Sequence, residues 1–120
     1  MAVAAAPSVK PYDLQERTAL FASEIIRFAK RITVNPVNVR LIAQLVGAAT
    51  SVAANYCEAT EAVSRRDYKK SIGICKKEAK ETQLFLRMIA VAEEQLKTNA
   101  SELWQEAHEI HLILCAIYRK

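Results

Sequence analysis

Basic side chains are concentrated in one stretch of the chain, where seven Lys and Arg residues fall between Ser64 and Lys80 against two acidic residues. Their spacing places most of them on one side of a helix, away from Tyr68, Ile72 and Cys75. Such a stripe neutralises phosphates and gives salt-dependent, largely sequence-independent binding of nucleic acid. The alternative is a solvated helix face that only keeps the protein soluble. Tyr68 is the one aromatic residue within the stretch, which argues against a dedicated single-strand platform. The candidate nucleic-acid-binding residues are Arg65, Arg66, Lys69, Lys70, Lys76, Lys77 and Lys80.

Carboxylates and histidines form a second group that raises the possibility of a metal site. A di-iron site in a helical bundle needs Glu-x-x-His on two helices, and this sequence contains no Glu-x-x-His. His108 and His111 are three residues apart and could share a metal, but one such pair is weak support. We therefore predict no metal and no cofactor. The residues considered are Glu58, Glu61, Glu78, Glu81, Glu106, Glu109, His108 and His111.

Ion pairing is the simpler role for several of these carboxylates. Glu78 and Glu81 lie beside Lys77 and Lys80, which favours pairs within the helix or between subunits. Asn55 and Glu58 share a helix face, and buried polar groups need partners. A pair between Glu58 and Lys77 would fix the register of the second and third helices.

Catalytic arrangements are missing from the sequence. It has no nucleophile–histidine pattern, no Ser-His-Asp ordering and, with two glycines, no Gly-rich phosphate loop. We expect neither an enzyme nor a small-molecule substrate. Three widely spaced cysteines, Cys57, Cys75 and Cys115, indicate buried or half-buried free thiols and a reducing, cytoplasmic compartment.

Length and composition favour one helical domain. The chain has 120 residues, 52% of them hydrophobic, with 2 Gly, 3 Pro and a net charge of +4. So few helix breakers indicate long helices. No apolar run approaches the 18 residues of a membrane span. Residues 1–11 are predicted to be a flexible tail.

Hydrophobic periodicity predicts four helices, at about 13–32, 36–63, 65–97 and 101–119, within a domain of residues 12–120. Asp13, Asn35 before Pro36, and Ser64 are the expected N-caps, and Asn99 or Ser101 is expected to cap the last helix. The three connections are short, so the predicted fold is all-α: an antiparallel up-down-up-down four-helix bundle.

The second helix carries an unusual number of small side chains between Gly47 and Glu58. Small residues on several faces predict close packing on more than one side, within the subunit and against another. Gly47 in a helix interior costs about 1 kcal/mol relative to Ala, so another backbone is expected to approach there. The apolar stripe of this helix is predicted to run from Val37 to Val63.

Several motifs resemble the small four-helix-bundle proteins encoded in intervening sequences of bacterial 23S rRNA genes. They are Glu16-Arg17-Thr18, Thr50-Ser51-Val52-Ala53-Ala54-Asn55-Tyr56, Ser64-x-x-Asp67-Tyr68 and Lys77-Glu78-Ala79-x-Glu81-Thr82, within a similarity from about Tyr12 to Tyr118. The resemblance implies a ring-like homopentamer. The family's genomic setting, and its likeness to the accessory protein of diversity-generating retroelements, imply nucleic-acid binding. The second of these motifs continues after Tyr56 to Glu58-Ala59. The residues considered structural or part of the family pattern are Gly47, Thr50, Ser51, Asn55, Glu58, Glu78 and Glu81.

One departure concerns Val46-Gly47, where relatives commonly carry a basic or bulkier pair. The sequence thus predicts a non-enzymatic oligomer that binds RNA or DNA through a basic surface, with no membrane association. The alternative is an assembly or adaptor module that docks an acidic protein and binds no nucleic acid.

Overall fold

Four helices follow one another in the computed structural model, which describes residues 13–120. They are α1, Leu14–Lys30; α2, Val39–Thr60; α3, Arg65–Ala92; and α4, Lys97–Arg119; a single 3-10 turn, Glu94–Leu96, precedes α4. The predicted tail, residues 1–11, lies outside the described range. Within that range no helix has the length and apolarity that crossing a lipid bilayer requires.

Side-chain caps start α1 and α3 at the predicted residues, Asp13 and Ser64. The predicted cap of α2 is wrong: its N-cap is Asn38, without a side-chain cap bond, and Asn35 caps only the turn before it. The Glu16 N–H donates to Asp13 Oδ1 at 3.2 Å, and the Asp67 N–H donates to Ser64 Oγ at 3.0 Å. Asn35 Oδ1 accepts from the N–H groups of Val37 and Asn38, both at 2.9 Å. These bonds satisfy donors that a helix start leaves unpaired.

Helix bounds differ from the sequence pattern at both ends of α2 and at the α3–α4 corner. Val37 and Val63 lie outside α2 and are 73% and 92% exposed, so neither belongs to its apolar stripe. α3 ends at Ala92 because Glu93 leaves the helical conformation, with φ −134° and ψ 76°. α4 already begins at Lys97, so Asn99 and Ser101 lie inside it and cap nothing.

The helices pack in the order in which they occur in the chain. α1 contacts α2, α2 contacts α3, α3 contacts α4, and α4 returns to α1, while no diagonal pair is in contact. With short connections this is the antiparallel four-helix bundle, and the predicted fold is confirmed. Its core contains large side chains from all four helices at 0–1% exposure: Ile25, Phe28, Leu45, Val52, Ile72, Leu86, Ile89, Ile110 and Leu114.

Small residues bring α2 close to α3 on the inner side of α2. Ala48 and Ala49 are buried there, and the Cys75 thiol lies 3.5 Å from the Val52 carbonyl, to which it donates. A side chain that short reaches a neighbouring helix backbone only when the two helices approach closely.

The outer side of α2 is open within the chain. Gly47 and Ala54 are exposed, and a Cβ placed on Gly47 would meet nothing within 4 Å among the described residues. The backbone that was predicted to approach Gly47 is therefore not one of this chain's described residues, and its approach from a second subunit stays a prediction. Within the chain, the small residues of this helix take part in packing on its inner side only.

Asn38 joins two corners of the bundle and was not singled out by its sequence. It is 0% exposed. Its Oδ1 accepts from the Asn35 N–H at 2.8 Å, and its Nδ2 donates to the Thr33 carbonyl at 3.0 Å and to Glu93 Oε2 at 3.1 Å. The α1–α2 connection is thereby fixed to the residue at which α3 ends.

Candidate nucleic-acid interface

Tyr118, near the end of α4, lies against Gly73 in the middle of α3. A Cβ on Gly73 would lie 3.2 Å from Tyr118 Cε1, closer than most real Cβ contacts. The missing side chain is thus what lets the aromatic ring rest on the α3 backbone. α4 therefore places the Tyr118 ring on α3, the helix that carries the basic stretch.

Two lysines flank this ring. Lys69 Nζ lies 5.0 Å and Lys76 Nζ lies 4.5 Å from the centroid of the Tyr118 ring. Each is a cation–π contact, worth about 0.5–1 kcal/mol at an exposed site. The ring therefore holds two ammonium groups, one helical turn away from Gly73 on either side.

Three adjoining depressions share Tyr118 in their walls, and together we call them the basic groove. The largest, about 740 Å³, lies between α3 and α4 and includes Lys76, Lys77, Lys80 and Arg87. The second is lined by Arg66, Lys69, Lys70 and Lys77. The third includes Arg65, Lys69 and Lys120. All seven basic residues predicted from the sequence line this one surface.

The positive charge of the groove is not neutralised within the chain. None of the seven residues forms an ion pair in the described range, and Glu81 is the one carboxylate among the lining residues. Within the chain, the expected pairs of Glu78 and Glu81 with Lys77 and Lys80, and of Glu58 with Lys77, are not formed, while pairs between subunits stay a prediction. Glu58 is exposed, so it does not fix the register of α2 and α3. Arg65 Nη2 instead donates to the Lys120 carbonyl at 2.7 Å.

Sequence reasoning missed the residues that α4 and the end of α3 contribute. Tyr118 and Trp104 lie fourteen positions apart, four helical turns, and so share one face of α4. The features of the sequence that could have revealed these residues are that spacing and the presence of Gly73 inside the basic helix. The expectation that aromatic side chains are scarce at this surface is wrong. The missed residues are Gln83, Arg87, Trp104, Tyr118 and Lys120.

The two histidines have separate surroundings. The His108 ring stacks on Trp104 with centroids 5.2 Å apart, whereas the His111 ring nitrogens lie 3.6 and 3.9 Å from Cys115 Sγ. Burial lowers the pKa of His111, and the charges of Lys80, Lys76 and His108 lower it further. In residues 13–120 no three His, Cys, Asp or Glu side chains come together as a metal would need.

Two carboxylates of the group considered for metal binding hold Arg17 instead. Arg17 donates to both oxygens of Glu106 at 2.8 and 2.7 Å, and to Glu109 Oε1 at 3.0 Å. The hydrogen bonds to Glu106 are the largest cause of a raised Arg17 pKa. Glu106 and Glu109 thus fasten α4 to α1.

Polar side chains of the family motif in α2 form hydrogen bonds within that helix. Thr50 Oγ1 donates to the Val46 carbonyl at 2.7 Å, and Asn55 Nδ2 donates to the carbonyl and hydroxyl of Ser51 at 2.9 and 3.0 Å. On α3, burial raises the pKa of Glu78; Glu81 raises it further and Lys77 lowers it.

All three cysteines are free thiols, in different surroundings. Cys75 is buried, and burial raises its pKa to about 12. Cys115 is half-buried, but Cys57 is exposed on α2, contrary to the expectation from the sequence.

The chain is similar to known proteins in sequence and in fold. A family model described as 23S rRNA-intervening sequence protein matches residues 10–116. A crystal structure from Bacteroides thetaiotaomicron VPI-5482, of a protein with unknown function from the S23 ribosomal protein family, is similar with a TM-score of 0.78. The two sequences are 26% identical over 89% of this chain and 99% of the other. No curated protein matches the chain.

Proposed function

The chain belongs to the 23S rRNA-intervening sequence protein family, and on that premise we propose that it is a non-enzymatic, homo-oligomeric, cytoplasmic protein that binds RNA or DNA through the basic groove. The observation that carries the proposal is the gathering of seven unpaired basic side chains around Tyr118. The family match and the similar crystal structure support the fold. The basic groove supports nucleic acid as the ligand.

Phosphates are the groups that this surface fits. Lysine ammonium groups and arginine guanidinium groups release condensed counterions when they contact a nucleic-acid backbone, which favours binding at low salt. Arg87 and Lys120 add to the charge of the same surface. Tyr118 adds an aromatic ring beside it, as in surfaces that bind single strands.

The outer face of α2 supports the oligomeric part of the proposal. Ala43, Gly47 and Ala54 are exposed there, and small residues permit close approach of a second helix. The resemblance to ring-forming relatives leads us to expect five subunits. Each ring would then carry five copies of the basic groove, and multivalent binding would follow.

The test is a fluorescence anisotropy titration of a labelled, structured RNA at low and moderate salt. Replacing Arg66, Lys69 and Lys70 by Glu should weaken binding at least tenfold across RNA sequences, since phosphate contacts carry no sequence information. The matched control replaces Arg27, Lys30 and Arg31, at the end of α1, by Glu. Failure of the wild type to bind at low salt would refute the proposal, as would equal loss in both triple variants.

An adaptor function is the second candidate, because the same unpaired charges fit an acidic protein. The two candidates differ in what copurifies with the chain. A high ratio of absorbance at 260 nm to that at 280 nm favours nucleic acid. An acidic protein partner recovered with no nucleic acid favours the adaptor.

A further inference from the structure

Gln83 is a buried amide without a partner, on the α4 side of α3. It is 3% exposed and lines the largest depression of the basic groove. Neither its Nε2 nor its Oε1 has a hydrogen-bond partner among residues 13–120. Buried polar groups in folded proteins are nearly always paired, so an amide with both atoms unpaired in a groove wall points to a ligand.

Aromatic surface lies next to this amide. α3 and α4 are antiparallel, with Gly73 against Tyr118 and Arg87 near Trp104. The same register places Gln83 at the level of His108 on α4. Trp104 lines the same depression as Gln83 and stacks on His108, with an interplanar angle of 18°. His108 Nδ1 is also buried without a partner in the described range.

Cations surround the opening of the depression. Lys76, Lys77, Lys80 and Arg87 line it, with Glu81 as the opposing charge. Its volume of about 740 Å³ falls within the range of about 300–1,000 Å³ found for small-molecule sites. One stretch of groove therefore offers a flat aromatic ring, an amide donor and acceptor, and positive charge. These complement the flat base, the hydrogen-bonding base edge and the negative phosphate of a nucleotide.

We propose that this depression holds one unpaired nucleobase of a single-stranded nucleic acid. The base stacks on Trp104, the buried Gln83 side chain turns its amide toward the base edge and exchanges hydrogen bonds with it, and the flanking phosphates lie on Lys76, Lys80 and Arg87. This inference rests on the proposed function and specifies its ligand: strands, loops or ends whose bases are free, in preference to duplex. A base inside a duplex is stacked and paired, so it does not reach the amide.

Trp104 is the single tryptophan of the chain and lines this depression, so tryptophan emission reports on the surroundings of this one residue. The experiment titrates the full-length protein with an unlabelled single-stranded RNA of mixed sequence, the DNA of the same sequence, and the blunt RNA duplex. We expect the single strand to quench Trp104 emission over the concentrations at which anisotropy shows binding. It should bind about 5- to 150-fold more tightly than the duplex, the range for one base stacked on an aromatic ring. The DNA strand shows whether the 2′-hydroxyl contributes.

Gln83→Leu removes the amide and keeps most of the buried volume. We expect this variant to lose most of the preference for the single strand, with an unchanged salt dependence because the phosphate contacts remain. Its melting temperature should not fall, since an unpaired buried amide is removed. Gln105→Leu, an exposed position on α4, is the matched control and should behave as the wild type.

The outcomes separate this inference from the proposed function. Binding by anisotropy with unchanged Trp104 emission, and no preference for the single strand, would overturn the base-binding site and leave the basic groove as a phosphate surface. No binding of any of the three nucleic acids would overturn both. Should Gln83→Leu not fold, the quenching and the strand preference of the wild type still decide the matter.

Discussion

The ring of Tyr118 lies on α3 because Gly73 has no side chain. A Cβ on Gly73 would lie 3.2 Å from Tyr118 Cε1, so the ring could not rest there if residue 73 had a side chain. The position of the ring in turn places the ammonium groups of Lys69 and Lys76 over it. The charge of these lysines was evident from the sequence. Their common aromatic partner was not, because residues 73 and 118 are brought together only by the packing of α3 against α4.

Asn38 provides a test of polar burial at the residue scale. Asn38→Ala removes the acceptor of the Asn35 N–H and the donor to Thr33 and Glu93. We expect the free energy of unfolding to fall by about 2–4 kcal/mol, since each group left unpaired costs about 1–3 kcal/mol. Urea denaturation measures this change. Asn99→Ala, at an exposed position of α4, is the control and should change it by less than about 0.5 kcal/mol.

His111 gives the protein a pH-dependent stability. Its pKa in the folded state is lowered, first by burial and then by Lys80, Lys76 and His108. The unfolded chain therefore takes up the proton first as the pH falls below about 6.5, and stability declines from there down through the lower folded-state pKa. His111→Gln should lose less stability than the wild type between about pH 7 and about pH 5 in thermal melts. An equal loss in both proteins would show that His111 is not the group responsible.

At the scale of the helices, cap chemistry was sufficient for the starts of α1 and α3, and periodicity was sufficient for the order of packing. The α3–α4 corner could not be predicted, because residues 92–97 contain neither Gly nor Pro. That corner forms where Glu93 leaves the helical conformation and hydrogen-bonds to Asn38, a contact across 55 positions. The basic stretch could be placed on one helix face, but Trp104 and Tyr118 of α4 meet that face only through tertiary packing.

Arg17 tests how α1 is held to α4. The side chain of Arg17 is 16% exposed and forms a two-pronged contact with Glu106. Arg17→Met should lower the free energy of unfolding by about 1–3 kcal/mol, and Arg17→Lys by less, because the charge is kept and the fork is lost. Arg27→Met is the matched control. It breaks the ion pair of Arg27 with Glu24, in which the Arg27 side chain is 51% exposed and the Glu24 side chain is 61% exposed. The free energy of unfolding should therefore fall by about 0.5 kcal/mol or less. Equal effects in denaturation of the two Met variants would contradict this account.

At the scale of the whole molecule, the open outer face of α2 bears on assembly. Light scattering should give the wild type a mass near five times the 13.4 kDa of the chain. Gly47→Leu places a bulky side chain on a surface where the isolated chain has nothing within 4 Å. We therefore expect this variant to stay folded and to lose the oligomer. Ala19→Leu, at an exposed position of α1, should keep the wild-type mass. A wild-type mass of 13.4 kDa would contradict the oligomeric part of the proposal.

The whole surface around Tyr118 gathers nine basic side chains, the seven of the basic stretch with Arg87 and Lys120. Seven of the nine are spread along α3 from its first residue to Lys80, so a strand following the groove meets several of them in turn. Its binding strength should then depend on salt in proportion to the number of phosphates in contact.

The most direct measurement is the slope of log K against log salt concentration for a single-stranded RNA. With about 0.7 counterions released per phosphate, five to nine contacts per subunit predict a slope of about −3.5 to −6. Replacing Lys69 and Lys76 by Gln should make the slope less negative by about 1.4. Binding whose strength does not change with salt, or a slope that the double replacement leaves unaltered, would contradict the assignment of the basic groove as a nucleic-acid interface.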